Sequence, residues 1–172
     1  MTERAPDPAF LLTATIPGHP YAQGSKRPLK HKHTGKIIMV ESAGDELRAY
    51  RVAIARAMRN AVTEHGWPDG SEDGCFPVWV QHVPVSVEIF FYFRRPRFHY
   101  RTGANARLLR GNAPLCPTGP PDYEKLERAV SDAGQGIWWW KDSQICDGHG
   151  RKRYAELGED ERTMIIAWEF TG

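Results

Sequence analysis

Apolar and polar positions along the chain repeat with two different periods, and the points where one period gives way to the other set the order of elements. Phe10–Ile16 (FLLTATI) interleaves threonine with apolar residues and stops at Pro17–Gly18, which predicts a first strand. Gly18–Gly35 is rich in Gly, Pro, His and Lys and reads as a loop. Lys36–Val40 (KIIMV) reads as a short second strand that pairs with the first or flanks the loop. From Ser42, in the position of an N-cap, the period lengthens. Leu47, Tyr50, Ile54, Met58 and Ala61 recur three and four apart, the single stripe of an amphipathic helix. Asp45 and Glu46 complement the dipole in its first turn, and Gly66–Trp67–Pro68 ends it. Asp69–Pro77 is a polar, Gly-rich connection.

Val83–Phe93 (VPVSVEIFFYF) returns to period two with β-branched and aromatic residues, a central strand with Pro84 at its start or at an edge. The basic stretch at about 94–120 has no clear period and reads as a functional, flexible loop. A second helix is predicted over Tyr123–Ala133, with Leu126, Ala129, Val130 and Ala133 on its buried face and Gly134 and Gly136 to stop it. Ser143–Asp147 and Arg151–Tyr154 read as parts of one irregular strand interrupted by Gly148 and Gly150, and Thr163–Phe170 as the final strand. The order β-β-α-β-α-β-β predicts a single α+β domain over residues 1–172, built on a mostly antiparallel or mixed sheet.

Composition narrows the class. Hydrophobic residues at 41% and charged residues at 26% are ordinary for a soluble globular protein, and no apolar run approaches the roughly 18 residues a membrane span needs. The N-terminal MTERAPDPAF has acids and prolines where a signal peptide has basic and then apolar residues, so a cytoplasmic protein is expected. Cys75, Cys116 and Cys146 form no CxxC pair, which excludes a zinc ribbon and a disulfide framework. Neither GxSxG, a P-loop nor a nucleotide-binding Gly-rich fingerprint is present, so no nucleotide cofactor is expected. The net charge is only +2, but its distribution is uneven. Lys26, Arg27, Lys30, Lys32 and Lys36 lie in one acid-free segment, and Arg94, Arg95, Arg97, Arg101, Arg107 and Arg110 in another. Such segments are phosphate-binding arms or solvated loops.

The chemistry concentrates in Pro120–Gln144. Asp122 and Glu124 stand at the mouth of the second helix, where an N-cap and a dipole partner are the plain explanation. Pro120–Pro121 favour an extended start, and in extended chain residues two apart face the same side, so both carboxylates can point at one site. Asp142 follows a Gly-rich turn and returns toward the helix start if the next strand packs beside it. Three such carboxylates can hold a divalent cation through oxygen. His31-Lys32-His33 has spacing for a metal on a strand, or for phosphate contact from a Lys-rich loop. Trp138–Trp140 stack on exposed bases or fill the core, and His99 and Tyr100 meet DNA or, for Tyr100, the interior.

PDYEKLERAVSDA…WKDSQI resembles the signature of the RusA-type Holliday junction resolvases, endonucleases of bacteria, prophages and phages. In that family Pro-Asp-x-Asp-Asn-Leu starts the helix, a Lys and an Asp-Ala follow along it, and Asp-Asp-Ser-Gln-hydrophobic comes after, with a Lys on the next strand. Asp122, Leu126, Asp132, Ala133, Asp142, Ser143, Gln144, Ile145 and Lys152 match as they stand. FHYRTG and its arginine-rich sequel resemble the insertion of phage members. The chain departs from the pattern at Glu124 and Lys141, each in place of Asp, at Lys125 in place of Asn, and at Arg128 in place of Lys.

The resemblance implies a homodimer that cuts opposed strands of a four-way junction symmetrically. It implies Mg²⁺, with Mn²⁺ as a substitute, held by Asp122, Glu124 and Asp142, and Arg128 offsetting charge at the phosphate. The residues expected on the DNA are Lys26, Arg27, Lys30, Lys32, Arg94, Arg95, Arg97, Arg101, Lys125 and Lys152. A non-catalytic junction-binding protein of the same fold, silenced by the Glu124, Lys125 and Arg128 changes, is the alternative, and a generic basic-loop nucleic-acid-binding domain a third reading.

Overall fold

Apolar stripes from two helices meet the buried rows of three strands on one face of a four-stranded sheet. The computed structural model describes residues 11–24, 26–31, 34–41, 44–65 and 77–172. In chain order the elements are β1 (Leu11–Pro17), β2 (Lys26–Lys30), β3 (Ile37–Glu41), α1 (Asp45–Glu64), β4 (Val85–Phe93), α2 (Tyr123–Gly134), β5 (Ile145–Tyr154) and β6 (Arg162–Glu169). The sheet runs β1-β6-β4-β5, with β6 antiparallel to both β1 and β4 and with β5 parallel to β4. The fold is therefore α+β with a mixed sheet and two helices, as the periods predicted.

Alternation along the strands decides which residues enter the core. Leu12, Ala14 and Ile16 of β1, Val87, Ile89, Phe91 and Phe93 of β4, and Ile165 and Ala167 of β6 are buried. They meet the α1 stripe of Leu47, Tyr50, Ile54, Met58 and Ala61 and the α2 stripe of Leu126, Ala129 and Val130. On the other face Phe90, Tyr92, Met164, Ile166 and Trp168 are only half-buried. One polar bond crosses the core: the Tyr50 hydroxyl meets Thr163 Oγ1 at 2.6 Å and ties α1 to β6.

The tryptophan run divides. Trp138 and Trp139 are fully buried, their indole N–H groups donating to the Met58 and Ser131 carbonyls at 2.9 and 3.0 Å. The Trp139 ring lies where a Cβ on Gly134 would be, so a glycine is required at the end of α2. Trp140 is 47% exposed.

Four details differ from the sequence expectations. The segment read as a loop contains β2, which pairs antiparallel with β3 as a separate two-stranded ribbon, so β3 does not join β1. KRPLK lacks the β-branched alternation of a core strand, and Pro28 fits only because the ribbon has open edges. Ser42 lies outside the described residues, and Gly44 takes the N-cap position of α1. β5 is continuous through Gly148 and Gly150, with a register shift against β4 between Val85 and Ser86. The 94–120 segment carries a frame of its own. Arg101 N–H donates to Leu108 O and Arg110 N–H to His99 O, both at 2.9 Å, which closes a hairpin. No described helix is long and apolar enough to cross a membrane. Cys116 and Cys146 are free thiols, and Cys75 lies outside the described residues.

Candidate active site

Lys152, in the second half of β5, donates to the Gly119 carbonyl at 2.5 Å and to the Pro121 carbonyl at 3.0 Å, pinning the segment before α2 to the sheet. Asp122 follows with extended backbone at the N-cap position, yet its carboxylate makes no capping bond. It turns to Lys125 instead, Oδ2 to Nζ 2.7 Å. The Lys125 ammonium, with Lys152 at longer range, holds the Asp122 carboxyl below the usual carboxylate range. It is ionised at neutral pH.

Glu124 is exposed in the first helical turn. Extended chain would set it beside Asp122, but α2 begins between them at Tyr123, and helical residues two apart do not share a face. Glu124 instead shares a face with Glu127, Arg128 and Ser131, three, four and seven residues on. Glu127, Arg128, Ser131 and Asp132 line a cleft of about 300 Å³, with Val87 and Ile89 of β4, Asp142, and Ile145, Gly148 and His149 of β5. Arg128 is exposed and makes no hydrogen bond or ion pair among the described residues. Asp132 is held by Arg51 of α1 at 2.7 Å.

Asp142 opens a single 3-10 turn, Asp142–Gln144, and Gln144 fixes that turn in place. Its Oε1 accepts from Lys141 N–H at 3.0 Å, and its Nε2 donates to the Val80 and Val83 carbonyls at 2.8 Å each. Tyr123 and Glu127 seat the other end of α2 on β5. The Tyr123 hydroxyl donates to Glu127 Oε1 at 2.5 Å and accepts from Gly150 N–H at 2.9 Å. Burial, then the Glu127 bond, pushes the Tyr123 phenol up, so it remains a donor.

The structure thus brings Asp142 and Arg128 into one cleft, with Asp122 at the mouth of α2 beside Lys125 and Glu124 exposed between them. Tyr123 meets Gly150, whereas Ser131 and Asp132 share the cleft with Asp142 and Gly148, so α2 and β5 run in opposite senses. Asp142 consequently returns to the body of the helix and not to its first residue. Among the described residues no three His, Cys, Asp or Glu side chains form a group that could hold a metal ion. The donor chemistry itself fits a hard divalent ion: the carboxylates are exposed oxygens, and Asp122 already holds a cation in the Lys125 ammonium. The Gln144 clamp and the seat of Tyr123 and Glu127 on Gly150 were not read from sequence. A glycine inside a strand is the available signal, since it marks close approach of another element.

Among the basic residues, Arg94, Arg97 and Arg101 are exposed on the hairpin. Arg95 is half-buried: its guanidinium lies 4.1 Å over the Tyr154 ring and donates to Pro114 O at 2.7 Å, which makes it a brace of the fold. Lys26, Arg27 and Lys30 belong to β2, and Lys32 and His33 lie outside the described residues. His31 Nδ1 lies 3.1 Å from the Thr34 hydroxyl. His99 is buried against Tyr154, and Tyr100 is half-buried.

An arginine without an internal partner and the Asp142 carboxylate at one cleft, with the ionised Asp122 at the mouth of the same helix and an arginine-rich hairpin after β4, suit a protein that acts on a phosphodiester backbone. The family model for endodeoxyribonuclease RusA matches residues 17–165, and the chain belongs to that family. It is an endodeoxyribonuclease, a hydrolase of DNA, of a family that resolves Holliday junctions and uses a divalent metal. A comparison with curated proteins found no match.

Proposed function

We propose that the protein is a Mg²⁺-dependent endonuclease, with Mn²⁺ as a substitute, that cleaves four-way junctions and other branched DNA in recombination and repair. It works in the cytoplasm of a bacterium or phage-infected host. The carrying observation is the cleft that Arg128 and Asp142 share, with the ionised Asp122 at the mouth of the same helix. Asp142 would hold the ion at the cleft, and Asp122 and Glu124 would complete the set once the first turn of α2 and the Asp142 turn draw together around it, since the three do not form a metal-holding group among the described residues. When bound, it supplies Lewis-acid polarisation of the scissile phosphate and an activated water.

The chain's own groups do the rest. Arg128, free of internal partners, binds non-bridging phosphate oxygens and offsets charge as the phosphorane-like transition state forms. A guanidinium keeps its proton at any ordinary pH, so the leaving 3′ oxygen takes its proton from water. Lys152 positions Asp122 through the Gly119 and Pro121 carbonyls. Cutting opposed strands of a junction calls for two sites, and we take the assembly to be a two-fold homodimer. The half-buried Phe90, Met164, Ile166 and Trp168 supply an apolar surface for it.

The test is cleavage of a synthetic four-way junction with and without Mg²⁺. Asp122→Asn and Asp142→Asn should each abolish product while leaving junction binding within a few-fold. Cleavage surviving in both variants would sink the site assignment. No product from the wild-type protein at any Mg²⁺ concentration would leave a junction-binding protein of the same fold.

A further inference from the structure

The 94–115 hairpin exposes Leu108, Leu109, Leu115 and one aromatic side chain. Phe98, in the middle of the 3-10 turn Arg97–His99, is 71% exposed. Its support is rigid. His99 is 8% exposed and lies edge-on both to Phe98, with ring centroids 4.5 Å apart, and to Tyr154 of β5 at 5.5 Å. Arg95 stacks on the same Tyr154 ring. Phe98 is the outer end of a column of edge-on rings rooted in the sheet.

Cations surround it. Arg97 is exposed, and its side chain makes no bond among the described residues. Arg97, Arg101 and Arg107 line an adjoining cleft of about 640 Å³. Of the carboxylates across that cleft, Asp160 meets Arg94 at 3.8 Å and Glu159 meets Arg162 at 2.9 Å, while Glu156 makes no side-chain bond among the described residues. Leu108 and Leu109 are exposed too, between Arg107 and Arg110. Arg101 Nε donates to the Leu109 carbonyl at 3.2 Å, which leaves its charge without a carboxylate partner. An exposed aromatic ring among arginines of this kind matches single-stranded nucleic acid, whose bases stack on the ring while phosphates meet the cations.

We propose that Phe98 is a stacking platform for a base left unpaired at the branch of the DNA, with Arg97 and Arg101 on the phosphates beside it. The proposal rests on the junction reading above and adds to it a second contact, away from the cut. Tyr154, which anchors the column, lies six residues beyond Gly148 at the cleft, roughly 20 Å along the strand. Phe98 therefore meets the DNA away from the scissile phosphate.

The experiment uses the full chain and four-way junctions carrying 2-aminopurine at successive positions near the branch. Wild type should quench the probe at the positions flanking the branch and not in the distal arms. Phe98→Ala should abolish that quenching and weaken junction binding about ten-fold, with linear duplex affinity unchanged. Phe98→Trp should retain both. Because the side chain is exposed, folding is not at risk, and a melting curve checks it. Wild-type affinity and quenching in Phe98→Ala overturn the proposal alone. So does equal loss on junction and duplex, or loss of self-association in sedimentation with junction binding intact. Failure of the wild-type protein to bind junctions overturns this proposal together with the reading beneath it.

Discussion

Gly150→Ala tests how the acidic end of α2 is positioned. A Cβ at this point of β5 would lie 2.7 Å from Glu127 Oε1 and 2.8 Å from Tyr123 Cε2. Ordinary contact begins near 3.4 Å, so the phenol ring must retreat by about 0.6 Å, the difference between 3.4 and 2.8. Glu127 cannot simply swing aside, because the Tyr123 hydroxyl holds its carboxylate. The two move together, and with them the first turn of α2, where Asp122 and Glu124 flank Tyr123. Overpacking of this kind costs about 1–3 kcal/mol, offset by up to about 1 kcal/mol from the lower entropy of the unfolded alanine chain. The expected net loss is about 1–2 kcal/mol.

The effect on catalysis follows from displacement. A shift of about 1 Å in a reacting group can cost about 100-fold, so roughly 0.6 Å should lower single-turnover junction cleavage on the order of 10-fold. Binding to the junction should change little. Gly148→Ala, two residues away on the same strand, is the stability control: its Cβ would meet only Ile145 Cγ2, at 3.4 Å, and its melting temperature should stay near wild type. Wild-type melting and wild-type cleavage in Gly150→Ala would refute the claim that α2 is seated through this contact.

Three further outcomes are expected. Gln144→Ala removes three hydrogen bonds from the turn carrying Asp142 and leaves the Val80 and Val83 carbonyls short of a donor; stability should fall about 2–3 kcal/mol and kcat more than junction affinity, and unchanged kcat would deny it a positioning role. Lys125→Asn removes the ammonium that competes with a metal for Asp122, so half-maximal cleavage should need several-fold less Mg²⁺; an unchanged Mg²⁺ titration would show that the pair opens at no cost. Tyr50→Phe strands the buried Thr163 hydroxyl and should cost about 1–3 kcal/mol at neutral pH. Burial raises the Tyr50 phenol, so the folded state keeps a proton that the unfolded chain loses above about pH 10, and stability falls as pH rises past that point. The wild-type melting temperature should drop more steeply there than that of Tyr50→Phe, and equal slopes would count against the linkage.

The helices and core strands were legible because one-sided burial writes period into sequence. The α1 stripe, Leu47 through Ala61, is the buried row of the structure, and α2 ends within a residue of its predicted stop. β2 was illegible for the converse reason: the ribbon joins no core strand, so no alternation was imposed on KRPLK. Motif spacing and the resemblance singled out Asp122, Asp142 and Arg128 as candidates, but spacing carries no direction. It could not say that α2 and β5 run in opposite senses, which separates Asp142 from the helix start. Nor do triple tryptophans announce which of them is core. That Trp138 and Trp139 are enclosed while Trp140 is not follows from the close approach at Gly134, a tertiary contact.

The sheet order has a consequence for how a DNA-cutting protein comes into being. β6, the last strand along the chain, lies in the interior of the sheet, and it pairs Trp168 with Leu11 and Ile165 with Ile89. The β2–β3 ribbon and the two helices involve near neighbours and can form early, whereas the pairing of β1 with β6 must close a loop spanning most of the described chain. A chain made as far as β5 already has its carboxylates, Arg128 and the hairpin, but β1 has no partner and β4 has one free edge. The sheet itself is completed only when β6 enters between β1 and β4 and joins the two ends of the chain.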